Sequence, residues 1–279
     1  MLKVIIKYIA FNKAVKTIIN AVKESIKQNP CLNCPGYCCS ENLINICGYD
    51  AWVIVRDLNI HPTDFIGLAE LDEKSPYNFI MDNSGNYYCM VLNMKELSDS
   101  SRRCIFALDL PNGVVRCGIY SLRPIACRAY PMILADEEVV VKPWAFCDKE
   151  AWDIDKLDKS YWQGELGHNA MEFSIYGYIV AVWNNTIRKS PEWERLDFSV
   201  FFDFLFHIYL RLESERAKVP SEAWPEIWKQ WRRATAQKSN PLFSKTSGIE
   251  ASTIWDSWLL SIQHTILEEN YRLRLSIQS

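Results

Sequence analysis

Cys31-Leu32-Asn33-Cys34-Pro35-Gly36-Tyr37-Cys38-Cys39 sets four thiols within nine residues, in a chain that carries ten cysteines over 279 residues. The spacing is C-x2-C-x3-C-C. A C-x2-C turn presents two sulfurs to one metal at about 2.3 Å from each, and Pro35-Gly36 is a turn signal inside the loop. Cys38 and Cys39 leave neighbouring backbone positions, so their side chains are expected to diverge; one can ligate while the other packs or serves a second centre. A stretch this rich in cysteine predicts a first half organised around a sulfur site.

A second group follows. Cys104 precedes Arg116-Cys117-Gly-Ile-Tyr120-Ser-Leu-Arg123-Pro124-Ile-Ala-Cys127-Arg128-Ala-Tyr130-Pro131, and Cys147 comes after it. This is not the C-x2-C-x2-C-x3-C-P spacing of a bacterial ferredoxin. A C-x3-C-x2-C run is excluded too, because Glu41 stands where its third cysteine would be.

Composition bounds the rest. The chain is 49% hydrophobic, long enough for a sizeable core, so the cysteines are not needed to replace one. A net charge of −3 argues against nucleic-acid binding. Lys3, Lys7, Lys13 and Lys16 interrupt every apolar run near the N-terminus, unlike a secretory signal. No stretch reaches the roughly 20 apolar residues of a membrane span. The expectation is a cytoplasmic protein, in which dense cysteines hold metal rather than form disulfides.

Val4, Tyr8, Phe11, Val15, Ile18, Val22 and Ile26 recur at helical spacing. Residues 1–29 therefore read as an amphipathic helix, packed on the protein or, as a basic face, touching a membrane surface or partner. Further on, a helix is expected over residues 50–58 and another starting at Pro62. Three hairpins are expected over 77–91, 103–118 and 130–142, turning at 83–86, 111–113 and 136–137. Residues 149–189 read as helical with an interruption near Gly164–Gly167, followed by helices over 197–218, 221–237 and 250–275. The fold class is thus α+β: a small cysteine-rich metal-binding domain with short β-hairpins over 30–148, then a mostly helical half over 149–279.

The two cysteine motifs together, C-x2-C-x3-C-C and then C-x-I-Y-x-x-R-P-x-x-C-R-x-Y-P, resemble the YkgJ-type cysteine-cluster proteins. These are described as zinc- or iron-chelating domains and include flagellin lysine-N-methylases. The resemblance covers roughly residues 31–147. It places the family's eight cysteines on Cys31, Cys34, Cys38, Cys39, Cys104, Cys117, Cys127 and Cys147. It implies an iron–sulfur cluster, 4Fe-4S in type, or zinc, and S-adenosylmethionine as a co-substrate for modifying a protein lysine. Eight thiolates suffice for two tetrahedral zinc sites or for one four-iron cluster with cysteines left over. Cys47 and Cys89 fall outside the pattern and read as small buried hydrophobes.

Arg123 and Arg128 flank the cysteines and are candidates for neutralising a cluster or binding an anionic group of a cofactor or substrate. Tyr120 is a third candidate at the cofactor, as a hydroxyl donor to sulfur. Asp50 and Asp57 read as acid/base candidates or helix caps. His61, His168, His207 and His264 show no paired spacing and read as structural. Ten glycines, none in a nucleotide-binding motif, argue against a Rossmann-type site. Three functional readings remain open: a cluster-dependent protein-modifying enzyme, a zinc-stabilised binding or assembly module without catalysis, and a metal or redox sensor or carrier.

Overall fold

The computed structural model describes residues 31, 34–71, 75–98, 101–135, 138–147, 152–190, 196–237, 239–243 and 253–278. The expected helix over 1–29 lies outside them. In chain order the helices are α1 (Tyr37–Glu41), α2 (Gly48–Leu58), α3 (Ile125–Ala129), α4 (Lys159–Arg188), α5 (Phe198–Arg216), α6 (Trp224–Ala236) and α7 (Ile254–Gln278). The strands are β1 (Ile66–Leu71), β2 (Tyr87–Leu92), β3 (Met94–Glu96), β4 (Arg102–Cys104), β5 (Ala107–Asp109), β6 (Val115–Cys117), β7 (Met132–Ala135) and β8 (Glu138–Val141). Each sheet is a two-stranded pair. The chain is α+β with a helical C-terminal half.

Two structural units emerge, and they interleave in sequence. Among the described residues, the first draws on 31–42, 95–120 and 131–159, and the second on 43–94, 121–130 and 160–278.

The first unit is built from short hairpins. β5 and β6 pair antiparallel with Ala107 opposite Cys117 and Asp109 opposite Val115. Gly113 closes that turn at φ 76°, a conformation that costs glycine little. Its N–H donates to the Leu110 carbonyl at 3.0 Å. β7 and β8 form the next hairpin, from Met132 opposite Val141 to Ala135 opposite Glu138. The β5–β6 hairpin matches the turn residues that predicted it, whereas the turn expected at 136–137 lies outside the described residues.

The second unit holds the largest apolar core. α4 buries Met171, Ile175, Ile179, Val180, Trp183 and Ile187 at helical spacing. α5 buries Phe201, Leu205, Ile208 and Leu212, and α7 buries Trp258, Leu259, Ile262 and Ile266. Trp183, Trp231 and Trp258 are among its largest fully buried side chains, so much of the chain's tryptophan is core. Gly48 lets α2 approach α5 closely: a Cβ there would stand 2.5 Å from Tyr209 and 2.7 Å from Leu205. No described helix is long and apolar enough to cross a membrane.

Two expectations change. The hairpin over 77–91 is reduced to one isolated bridge, Phe79 opposite Tyr88. β2 pairs instead with β1, from Ile66 opposite Leu92 to Leu71 opposite Tyr87. The groups that would have extended the hairpin are engaged by α4. Asn184 accepts from the Ile80 N–H at 2.9 Å and donates to the Asn78 carbonyl at 2.9 Å, and the Trp183 indole donates to the Ile80 carbonyl at 2.7 Å. The expected interruption near Gly164–Gly167 is also absent, and α4 runs unbroken from Lys159 to Arg188. Gly167 makes room for a neighbour instead: a Cβ there would lie 2.6 Å from the Trp228 Cβ and 2.9 Å from its carbonyl oxygen.

Candidate metal centre

Cys34, Pro35 and Gly36 turn the chain sharply, with Gly36 at φ 86°. A Cβ on Gly36 would meet the Val115 side chain at 2.7 Å, so glycine is demanded by conformation and by space. The turn points the Gly36 N–H at the Cys34 sulfur, 3.2 Å away. N–H donors to sulfur favour the thiolate and tune a cluster held by it. Gly36 then precedes α1, which carries Cys38 and Cys39.

Strand β6 anchors this loop. The Val115 N–H donates to the Cys34 carbonyl at 2.9 Å, and the Arg116 guanidinium donates to the Cys31 carbonyl at 3.0 Å. Arg103, on β4, donates to the Pro35 carbonyl at 3.3 Å and pairs with Asp109 at 2.9 Å. The first cysteine cluster is thereby laid along the strand that ends in Cys117.

The sulfurs follow the backbone. Cys38 and Cys39 do not diverge: their Sγ atoms stand 4.0 Å apart. Two sulfurs about 2.3 Å from one tetrahedral metal are separated by about 3.8 Å, so the pair approximates one edge of such a site. Cys104 is buried, and its thiol is pushed up to about 11 by burial first, and then by the nearby Cys39 and Cys117 sulfurs; the Phe106 N–H and the Lys95 ammonium oppose this. Lys95 itself donates to the Ala107 carbonyl. Cys39 and Cys117, both far from Cys104 in sequence, thus lie near enough to act on its thiol. None of the ten cysteines is in a disulfide. Among the described residues, no three His, Cys, Asp or Glu side chains form a ready-made metal-ligating group.

Cys147 also belongs to the first unit, past the β7–β8 hairpin. Cys127 belongs to the second unit, on α3, together with Arg123 and Arg128, whereas Tyr120 lies in the first unit with its ring exposed. Cys47 and Cys89 are buried in the second unit.

α3 is fastened at two points. At its start, the Ile125 N–H donates to Asp50 Oδ1 at 2.8 Å. Asp50 Oδ2 accepts from the Cys47 N–H at 3.1 Å and from the Cys47 thiol at 3.4 Å, closing a capping box on α2. Burial raises the Asp50 carboxyl to about 6, against those hydrogen bonds, which lower it. Asp50 is therefore a cap that also ties down a second helix. Burial raises the Cys47 thiol as well, which keeps it a donor.

At the other end of α3, Arg128 engages α4. Its Nη2 donates to His168 Nδ1 at 2.9 Å, and its Nε lies 3.3 Å from Glu165. Because arginine only donates, the His168 proton sits on Nε2, which stands 3.3 Å from Glu172. Glu172 is fully buried and pairs with Arg216 at 2.6 Å, while Arg216 lies over the Tyr49 ring at 4.6 Å. Burial would raise the Glu172 carboxyl, but Arg216 and then His168 outweigh it and hold the group below the usual carboxylate range. The same pairing raises Arg216 against its own desolvation. Two guanidiniums and two carboxylates balance in charge around the His168 ring, so this cluster locks helices together, and Arg128 serves to position α3.

The sequence reading of His168 as structural agrees with this role, although its pairing with Glu172 was not read. Their i,i+4 spacing was the available signal; Arg216, 44 residues beyond Glu172, offered none.

No protein-family model matches this chain, and no curated protein and no solved structure matches it either.

Proposed function

We propose that this chain is a metal-binding protein whose clustered cysteines hold an iron–sulfur cluster, with zinc as the alternative metal. The observation that carries the reading is the pair of Cys38 and Cys39 sulfurs, 4.0 Å apart, close to one edge of a tetrahedral site. Burial, and after it the Cys39 and Cys117 sulfurs, raise the Cys104 thiol, and a cation supplies the charge that makes such neighbours favourable as thiolates. The N–H aimed at Cys34 supports the same chemistry. Cys31, Cys34, Cys38, Cys39, Cys104 and Cys117 are the first candidates to hold the metal, with Cys147 in the same unit; Cys127 is added by the motif resemblance alone. A bound cluster would supply a redox-active or Lewis-acidic centre. The residues around it supply thiolate charge, N–H donors to sulfur, and the Arg103 and Arg116 ties that hold the loop.

Methyl transfer from S-adenosylmethionine to a lysine side chain follows from the motif resemblance alone. A non-catalytic binding module is the second reading, favoured by Trp144, which is 70% exposed in the first unit.

Anaerobic purification with an absorption spectrum and total iron, zinc and sulfide analysis tests the proposal. A brown protein with near-equal iron and sulfide supports the cluster, and binding of S-adenosylmethionine is then measured. A colourless protein with stoichiometric zinc supports the module. A metal-free, stably folded protein refutes both.

A further inference from the structure

Away from the thiol cluster, the second unit encloses a cavity of about 50 Å³. Asn45, Ser75 and Tyr77 line its outer part, and Cys89, Phe173 and Tyr176 are among its inner residues. None of its described lining residues carries a charge. Tyr176 is 1% exposed, and its hydroxyl has no hydrogen-bond partner among the described residues. Burial first, then the Cys47 and Cys89 sulfurs, raise it well above the usual phenol range. Cys89 directs its S–H at Asn45 Oδ1, 3.9 Å away.

A buried hydroxyl with no partner costs about 1–3 kcal/mol. A water site needs only roughly 10–15 Å³ on this measure, with two to four polar partners. Here Tyr176, Cys89, Asn45 and Ser75, each with a polar side-chain group, line room for more than one such molecule. We propose that this cavity is a binding site for small neutral hydrogen-bonding molecules, occupied by ordered water that bridges Tyr176 to Cys89 and Asn45. The walls exclude ions, because nothing lining the cavity compensates a charge. Cys89 thereby acquires a role outside the eight-cysteine pattern, as a neutral donor in a hydrated pocket, independent of which metal the other cysteines hold.

A crystal structure of the full chain, at a resolution that shows ordered solvent, tests this directly. Density within hydrogen-bonding distance of Tyr176 Oη, also reaching Cys89 or Asn45, is expected; a cavity without density overturns the proposal. Tyr176→Phe gives a second measurement, since it removes one oxygen and keeps the packing. With a bound water, the variant leaves that water short of a partner, and its Tm falls. If the hydroxyl has no partner, its removal relieves an unmet group, and an unchanged or higher Tm overturns the proposal by itself.

Discussion

Gly164 and Gly167 sit on the same helix, three residues apart, and propensity alone treats them alike: replacing either with alanine should stabilise α4 by about 0.5–1 kcal/mol. Their surroundings separate them. A Cβ at 164 would lie 3.6 Å from the Trp228 ring, an ordinary contact. A Cβ at 167 would lie 2.6 Å from the Trp228 Cβ, 2.9 Å from its carbonyl oxygen and 3.1 Å from its carbonyl carbon. Those are backbone and near-backbone atoms, so relief requires α6 to move and not merely a side chain to rotate. Overpacking of this kind costs roughly 1–3 kcal/mol. Set against the propensity gain, Gly167→Ala is expected to destabilise by about 1–2 kcal/mol, whereas Gly164→Ala stabilises by up to about 1 kcal/mol. At about 2–4 °C per kcal/mol for a chain near this size, Tm falls for the first and rises for the second. Thermal unfolding of both variants beside the parent is the assay, with urea unfolding as a check. A Gly167→Ala protein as stable as the parent, or two shifts of the same sign, would refute the argument that close approach of α6, and not helix propensity, governs this pair.

Asp50 offers a test in pH. Its folded-state value of about 6 lies above its ordinary 3.8, so the folded protein binds that proton more tightly than the unfolded chain. The ionised carboxylate then opposes folding by about 3 kcal/mol at neutral pH, a cost that diminishes as pH falls through 6 and is gone below 4. Measured against Asp50→Asn, which lacks this ionisation, the parent should gain relative stability between pH 7 and pH 5; a flat difference counts against the assignment. Glu172→Gln removes the partner of a buried guanidinium and is expected to cost about 3–5 kcal/mol, read by urea unfolding, whereas the double change Glu172→Gln with Arg216→Met should recover part of the loss. Cys34→Ser and Cys117→Ser should lower bound metal and soluble yield, while Cys89→Ser leaves metal content intact; metal loss in the Cys89 variant would contradict the cysteine assignment.

The sequence by itself determined what depends on near neighbours. Turn residues announced the hairpin at Gly113, because a tight reversal is decided by the few residues within it. The helices read over 197–218, 221–237 and 250–275 correspond to α5, α6 and α7, because helix formers and the breakers between them act within a few residues. Cysteine spacing singled out the stretch along β6 on the same local grounds. Tertiary structure decided what depends on partners distant in the chain. β1 became the partner of β2 because Trp183 and Asn184 engage the segment that would otherwise have paired there. Gly167 proved to be clearance for Trp228 and not a helix break, a distinction made by an atom 61 residues away in sequence. Residues 121–130, which the motif reads as continuous with the cysteines before them, joined the helical unit, where Asp50 accepts the Ile125 N–H and His168 and Glu165 engage Arg128. Of the two readings of Asp50, acid/base group or helix cap, tertiary structure favours the cap, shared by two helices, since a carboxylate removed from water is retained only where several donors meet it.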